Sequence, residues 1–208
     1  MTETTLAEKT LGVLLAGGLA RRMGGGDKPL VRVAGRPLLD HVIERLRPQV
    51  AAMALNANGD AARFAPWGLP VLADDVAGNP GPLAGVLVGL DWARAQGAAW
   101  LVSVAADTPF IPPDLVARLH AARGGHPIAV ACSGGRTQPT VALYATALAP
   151  DLRQSLLAGE RKIDRWTARH GEGRADWPTT PFDPFFNVNT QEDAEAAEAL
   201  ALRAAAAP

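Results

Sequence analysis

The chain has one cysteine, Cys132, among 208 residues, which excludes an internal disulfide framework and a cysteine-rich metal site. It has no apolar run near the roughly 20 residues that a membrane-spanning helix needs. Its formal net charge is −1, so no general excess of positive charge attracts nucleic acid or anionic membranes. The opening residues, MTETTLAEKT, carry mixed charges and are unlike a secretory signal. These absences predict a cytoplasmic protein that binds neither nucleic acid nor membrane.

The composition is that of a folded globular protein, with 48% hydrophobic and 20% charged residues. A chain of 208 residues is long enough for one domain with a sizeable core. No repeat or linker divides it. We therefore expect a single domain over residues 1–208, with flexible ends at 1–9 and 204–208.

Lysine is scarce, since the chain has 17 arginines but only three lysines. One of these, Lys28, ends the glycine-rich segment LGVLLAGGLARRMGGGDKPL at residues 11–30. The segment begins as an apolar strand and continues into a loop with five glycines and two arginines. Glycine lets backbone N–H groups lie against an anion, and the cationic side chains suit phosphate oxygens. The segment predicts a phosphate-binding loop, with a nucleotide as its ligand.

This loop matches neither of two common phosphate-binding patterns. A Walker loop has glycine before its lysine and serine or threonine after it, whereas Asp27 and Pro29 flank Lys28. The dinucleotide fingerprint G-x-G-x-x-G needs a third glycine where Pro29 stands. The chain is therefore neither a P-loop nucleoside triphosphatase nor an ordinary Rossmann dehydrogenase. A surface loop that is merely rich in glycine and arginine is the alternative interpretation.

Strand-like and helix-like segments alternate along the chain, which is typical of an α/β sheet. Thr190, three positions before Asp193, predicts a capped start for the last helix. The predicted strands cover about 12–16, 50–55, 71–72, 100–105, 128–131 and 140–144. The other predicted helices cover about 38–46, 83–96, 113–123, 150–158 and 162–169, and a loop covers 177–186.

Four residues stand just past the ends of predicted strands: Gly17, Asn56, Asp74 and Asp107. Ligands bind at the carboxyl edge of an open parallel sheet, so these residues predict one site. An isolated carboxylate at Asp107 needs a cationic companion, and Mg²⁺ prefers few carboxylates together with phosphate oxygens. A turn or helix cap is the alternative for Asp107.

Two groups of asparagines are further candidates. Asn56 offers both donors and an acceptor, which suits contacts with a base or a ribose, although the nearby Asn-Gly pair also marks a turn. Asn187 and Asn189 place two amides on the same side of an extended segment. Ordinary loop residues are the alternative for this pair.

Six segments resemble the molybdenum cofactor guanylyltransferase family, in that family's order and over nearly the whole chain. Sugar-phosphate nucleotidylyltransferases have a loop of different composition, and the cytidylyltransferase for the same pterin usually lacks the Gly-Gly-x-Asp-Lys ending. Residues 146–184 match least specifically. The segments are LLAGGLARRMGGGDKPL (14–30), NAN (56–58), DDVAGNPGPLAG (74–85), ADTPFIPPDL (106–115), RTQPTVALY (136–144) and NVNT (187–190).

The resemblance implies a three-layer, Rossmann-like nucleotidyltransferase (GT-A-like) fold with a mostly parallel sheet. It implies transfer of GMP from GTP to the terminal phosphate of Mo-molybdopterin, with Mg²⁺ as cofactor and pyrophosphate as the second product. A monomer is expected, with a small GTP-binding accessory protein and molybdoenzyme chaperones as further partners. Cytidylyl or other nucleotidyl transfer on the same fold, and a GTP-binding regulator without catalysis, are the alternatives.

The resemblance also implies roles for individual residues. Lys28 would bind the GTP phosphates, and Asp107 would contact both GTP and Mg²⁺; with Arg22, these form the catalytic set. Asn187 and Asn189 would bind the pterin. The implied nucleotide-binding residues are Leu15, Ala16, Gly17, Lys28, Asn56, Asp74 and Asp107.

Overall fold

The computed structural model describes residues 9–17, 27–76 and 81–206, with side chains to residue 202. Within these residues the strands are β1 (Thr10–Leu15), β2 (Arg32–Val33), β3 (Arg36–Pro37), β4 (Met53–Asn56), β5 (Val71–Leu72), β6 (Trp100–Ala105), β7 (Ile128–Ser133), β8 (Arg136–Ala145) and β9 (Gly173–Trp177). The α-helices are α1 (Leu38–Leu46), α2 (Pro82–Ala95), α3 (Leu115–Ala122), α4 (Ala149–Leu157), α5 (Ile163–His170) and α6 (Gln191–Ala206).

Seven strands form one sheet in the order β5-β4-β1-β6-β8-β7-β9. Strand β1 lies at the centre of its parallel part, pairing with β4 on one side and β6 on the other. Strand β5 extends this part beyond β4, and β9 runs parallel to β7 at the opposite edge. Strand β8 is antiparallel to both of its neighbours. The prediction of a mostly parallel α/β sheet is confirmed.

Helices cover both faces of the sheet, because successive side chains of a strand point to opposite sides. On one face, Leu14, Leu55 and Val104 belong to a core that includes α1 and α3. On the other face, Leu11 and Val13 belong to a core with α2, α4 and α5. The predicted three layers follow from this arrangement.

A third apolar cluster lies beside the sheet and involves the β2–β3 hairpin and α6. Its buried members include Val33, Phe110, Val188 and Ala197. The hairpin turns at Ala34 and Gly35, both with positive φ, as a tight two-residue hairpin requires. The cluster matters for the site because the fully buried Val188 fixes the segment that carries Asn187 and Asn189.

Several element boundaries differ from the sequence prediction. The strand expected from Val50 begins at Met53, because a 3₁₀ turn at Arg47–Gln49 follows α1. The helix expected from Pro113 begins at Leu115. The β2–β3 hairpin, β9 and a 3₁₀ segment at Ala61–Trp67 were not predicted.

Lys9, the first described residue, donates a hydrogen bond from Nζ to the Gln96 carbonyl at 2.7 Å. The flexibility expected for residues 1–8 and 207–208 falls outside the described residues. No helix in the described part of the chain combines the length and apolar character needed to cross a membrane.

Candidate active site

The carboxyl ends of β1, β4 and β6 meet at one cleft of about 300 Å³. This convergence follows from the parallel register, which sets Leu15 opposite Asn56 on one side and Ala105 on the other. Five of the predicted site residues line the cleft. The lining comprises Leu15, Gly17, Asn56, Asn58, Asp74, Gly81, Pro82, Ala105, Asp107 and Thr140.

Ala16 is buried beneath the cleft and continues the pairing between β1 and β4. Its N–H donates to the Asn56 carbonyl at 2.8 Å, and the Ala106 N–H donates to the Leu15 carbonyl at 3.1 Å. The backbone that leads into the predicted phosphate loop is therefore held on both sides. Arg22 and the loop residues 18–26 lie outside the described residues.

One side of the cleft is a network of two amides around the Asp74 carboxylate. Asn56 Nδ2 donates to Asp74 Oδ1 at 2.8 Å and to the Leu72 carbonyl at 3.1 Å. Asn58 Nδ2 donates to Asp74 Oδ2 at 2.8 Å, and Asn58 Oδ1 accepts from the Asp74 N–H at the same distance. Each oxygen of the Asp74 carboxylate thus accepts one hydrogen bond, which fixes the orientation of the carboxylate. Each oxygen can still accept a hydrogen bond from a further donor.

Asn58 was not among the predicted site residues, although the NAN segment at 56–58 contained it. Its neighbour Gly59 marks a turn, and a turn asparagine is ordinarily explained by its own backbone. The contact with Asp74 joins residues 16 positions apart, so local sequence does not reveal it.

Helix α2 begins at the cleft and closes a second side. Gly81, with φ of 70°, precedes the helix, and Pro82 occupies its first turn. Gly81 and Pro82 line the cleft together with Asn56 and Asp107, so the positive end of the helix dipole lies at this part of the site. This end of α2 adds a favourable potential for an anion to the cleft.

Another part of the site is built around Asp107, which lines the cleft, and Lys28, which contacts Asp107. Lys28 Nζ contacts both the Asp107 carboxylate and the Asn189 carboxamide oxygen. The side chains of Lys28 and Asp107 are 12% and 21% exposed, so solvent reaches both groups only partly. The structure thus places the predicted phosphate-binding lysine, the predicted metal-binding carboxylate and a predicted pterin-binding amide in direct contact.

The segment 187–189 is held against residues 107 and 108. The Val188 N–H donates to the Asp107 carbonyl at 3.0 Å, and Thr108 Oγ1 donates to Asn187 Oδ1 at 2.8 Å. Thr108 is almost fully buried. Both asparagines therefore belong to the Lys28 side of the site, away from the Asp74 network.

Asp75, next to Asp74, faces away from this network. Its Oδ2 lies 2.7 Å from Nη2 of Arg153, which also contacts Asp91 at 2.6 Å. The hydrogen bonds that Arg153 donates to Asp75 and then to Asp91 raise the pKa of Arg153 above its usual range. The adjacent carboxylates thus have different partners: Asp74 faces the cleft, and Asp75 links its loop to α4 and α2.

Asp107 is the described residue best placed to hold a metal ion in the cleft. In the described part of the chain, no three His, Cys, Asp or Glu side chains cluster as a self-contained metal site. One carboxylate that lines the cleft and contacts Lys28 is a donor set that suits Mg²⁺, which takes its other ligands from phosphates and water. The residues present therefore fit such an ion bound together with a nucleotide.

Comparison with known proteins identifies the family. A family model described as MobA-like NTP transferase domain matches residues 12–174. A molybdenum cofactor guanylyltransferase of Rhodopseudomonas palustris (strain BisB5) is 59% identical over 199 residues, covering 93% of this chain and 95% of that protein. One from Bradyrhizobium sp. (strain ORS 278) is 55% identical over 195 residues, covering 91% and 92%.

Solved structures share the fold at lower identity. Molybdopterin-guanine dinucleotide biosynthesis protein A from Archaeoglobus fulgidus has a TM-score of 0.73 and 24% identity, covering 93% of this chain and 99% of that one. A CMP:2-keto-3-deoxy-manno-octonic acid synthetase complexed with CTP has a TM-score of 0.70 and 16% identity, covering 94% and 99%. The solved structures that share the fold have different names, whereas both sequence relatives have the same name, molybdenum cofactor guanylyltransferase. On the evidence of those relatives and of the matched domain, this chain belongs to the molybdenum cofactor guanylyltransferase family.

Proposed function

We propose that this protein transfers GMP from GTP to the terminal phosphate of Mo-molybdopterin, releasing pyrophosphate. The observation that carries the proposal is that one cleft is lined both by Asp74, which Asn56 and Asn58 orient, and by Asp107, which pairs with Lys28. The membership of the family supports the identity of both substrates.

The Asp74 side suits the nucleoside part of GTP. Guanine presents two neighbouring donors, N1–H and the N2 amino group, and a carboxylate is an acceptor for both. Asn56 and Asn58 orient the carboxylate from behind, so it needs no rearrangement to accept them. The backbone at Leu15, Ala16 and Gly17 forms the floor at the end of β1.

The Lys28 side suits the triphosphate. Lys28 would bind phosphate oxygens, and Asp107 would hold Mg²⁺, which when bound neutralises phosphate charge. The terminal phosphate oxygen of the pterin attacks the α-phosphorus of GTP in line. The bond from that phosphorus to the bridging oxygen breaks, and pyrophosphate leaves with the electron pair. The protein contributes chiefly by positioning the two substrates and by neutralising charge.

The pterin would enter on the side of Asn187 and Asn189. Both residues are held beside Asp107, so a pterin bound to them would present its phosphate close to the triphosphate. Arg22 is proposed to meet that incoming phosphate, on the strength of its place in the glycine-rich segment. A cytoplasmic location, a monomeric state and docking of accessory proteins remain predictions from the sequence.

Pyrophosphate release from purified protein, Mo-molybdopterin and either GTP or CTP tests the proposal. We expect GTP to be the better substrate, and Asp107→Asn to lower the rate by at least about 10²-fold. Asp164→Asn, on the first turn of α5, is a matched control that should keep full activity. Faster transfer from CTP would reject the guanylyl assignment. GTP binding without pyrophosphate release would favour a regulator.

A further inference from the structure

Arg63 lies between two parts of the site that the proposed roles leave unconnected. It belongs to the 3₁₀ segment Ala61–Trp67, which starts where Asp60 Oδ1 accepts from the Ala62 N–H at 2.9 Å. The Arg63 guanidinium carbon lies 4.7 Å from the centre of the Phe64 ring, and Phe64 is fully buried. The segment is therefore anchored in the core, and the Arg63 side chain is only 24% exposed.

The Arg63 guanidinium contacts three separate groups. Its Nε lies 2.7 Å from Asp27 Oδ2, and its Nη2 donates to the Asn58 carbonyl at 2.6 Å. Its Nη1 donates to the Asp60 carbonyl. One rigid cation thus bridges the residue before Lys28 and the residue that orients Asp74.

These contacts link the two sides of the cleft. Asp27 directly precedes Lys28 in the chain, so fixing its carboxylate limits where the lysine backbone can lie. Asn58, fixed through its carbonyl, directs its amide at Asp74. Asp27 is 21% exposed, so its ion pair with Arg63 is partly shielded from solvent.

Arginine suits this position better than lysine would. Its planar group presents several N–H donors in fixed directions, whereas an ammonium is a single point of charge. A lysine at position 63 could contact Asp27 or the Asn58 carbonyl. Its single nitrogen could not contact Asp27, Asn58 and Asp60 at the same time.

We propose that Arg63 is a positioning residue for GTP, coupling the base-binding network at Asn58 and Asp74 to the phosphate-binding Lys28 through Asp27. This inference rests on the proposed function, because it assigns base and phosphates to those two sides. It predicts that loss of Arg63 weakens GTP binding more than pterin binding, because Asn187 on the pterin side is held by Thr108 and not by Lys28.

The test compares Arg63→Gln, Asp27→Asn and their double variant, with Arg94→Gln as the control. Arg94 is an exposed arginine on α2 and keeps the change in charge the same. We expect each single variant to raise the Kd of GTP with Mg²⁺ about tenfold, because both lose the ion pair between Arg63 and Asp27 and Arg63→Gln also loses the hydrogen bond to the Asn58 carbonyl. The Kd of GTP for the double variant should not exceed that of the single variant with the larger effect, because both changes break the same connection.

Steady-state kinetics separate positioning from a general loss of structure. Relative to Arg94→Gln, Arg63→Gln should raise the KM for GTP by a larger factor than the KM for Mo-molybdopterin, and the thermal midpoints of the two variants should match. Arg63→Lys should recover part of the GTP affinity. Unchanged GTP affinity, additive effects in the double variant, or an equal rise in both KM values would overturn the inference. Failure of the wild-type protein to use GTP would instead reject the proposed function.

Discussion

A Cβ atom on Gly85 would lie 2.1 Å from Asn56 Oδ1 and 2.7 Å from Leu15 Cδ2. Helix α2 therefore rests directly on the site at a position where no side chain fits. Asn56 cannot simply turn aside, because its Nδ2 is held by Asp74 and by the Leu72 carbonyl, and the residue is 6% exposed. The missing side chain thus allows Asn56 to keep its position beside Asp74 in the cleft.

Gly85→Ala should raise the KM for GTP by about tenfold or more, because displacing Asn56 costs at least one of its hydrogen bonds. The gain in helix propensity, about 1 kcal/mol, does not relieve a contact this short. Gly89→Ala is the control, since a Cβ there would meet Val13 Cγ1 at 2.9 Å in the core. That variant should lower the thermal midpoint and leave the KM for GTP unchanged. Equal KM values for both variants would contradict this account.

Asn187→Ala should raise the KM for Mo-molybdopterin about tenfold while GTP affinity stays near that of the wild type. The change also removes the acceptor of the Thr108 hydroxyl, so Thr108→Val provides the comparison. Both variants lose the same internal hydrogen bond, and only Asn187→Ala loses the amide donors. If the two variants affect the pterin KM equally, Asn187 acts through the fold and not through the substrate.

Asp193→Ala should lower the free energy of unfolding by about 1 kcal/mol. Asp193 Oδ2 accepts from the N–H groups of Asn189 and Thr190, each at 2.9 Å, and Thr190 Oγ1 accepts from the Asp193 N–H at 3.2 Å. This reciprocal cap also fixes the backbone of Asn189. Chemical denaturation measures the loss, with the exposed Glu192→Ala as the control in the same helical turn. A loss no greater than that of the control would show that the cap contributes nothing.

Ionised Asp151 should stabilise the folded protein, so that the free energy of unfolding falls when this carboxylate is protonated at low pH. The Trp166 indole N–H donates to Asp151 Oδ1 at 2.8 Å, and His170 Nε2 lies 2.9 Å from the same oxygen. The Trp166 hydrogen bond, followed by His170, lowers the pKa of Asp151 below its usual value. The contribution of Asp151 to the free energy of unfolding is therefore complete above the ordinary aspartate pKa of about 3.9. This contribution is lost as the pH falls through the lowered pKa of Asp151 in the folded protein.

Asp151→Asn keeps an acceptor for Trp166 but cannot titrate. The free energy of unfolding of this variant should depend less steeply on pH below about pH 4 than that of the wild type. Asp164→Asn, on the neighbouring helix α5, should keep the wild-type slope. Urea titrations at a series of pH values measure both slopes, and parallel wild-type and Asp151→Asn curves would refute the assignment.

The central strands could be predicted because they are buried on both faces and form continuous apolar runs, as at residues 100–105. The same apolar runs showed where the strands end, and so they predicted Asn56, Asp74 and Asp107 as site residues. Strand β9 could not be predicted, since its five residues include the exposed Arg174 and Asp176. Arg63 escaped prediction for a different reason: its ion pair with Asp27 joins residues far apart in the chain, and its contacts with Asn58 and Asp60 look like those of any arginine in a polar turn.

The contact between Lys28 and Asn189 also has a consequence for biosynthesis. These residues are 161 positions apart, and Thr108 and Asn187 are 79 apart. A ribosome must therefore polymerise the chain through residue 189 before the charged half of the cleft can close, although β1, β4 and β6 are complete by residue 105. Long-range contacts of this kind form late because the intervening chain must first be ordered. A nascent chain can thus assemble the part of the cleft around Asn56 and Asp74 well before the part around Lys28 and Asn189.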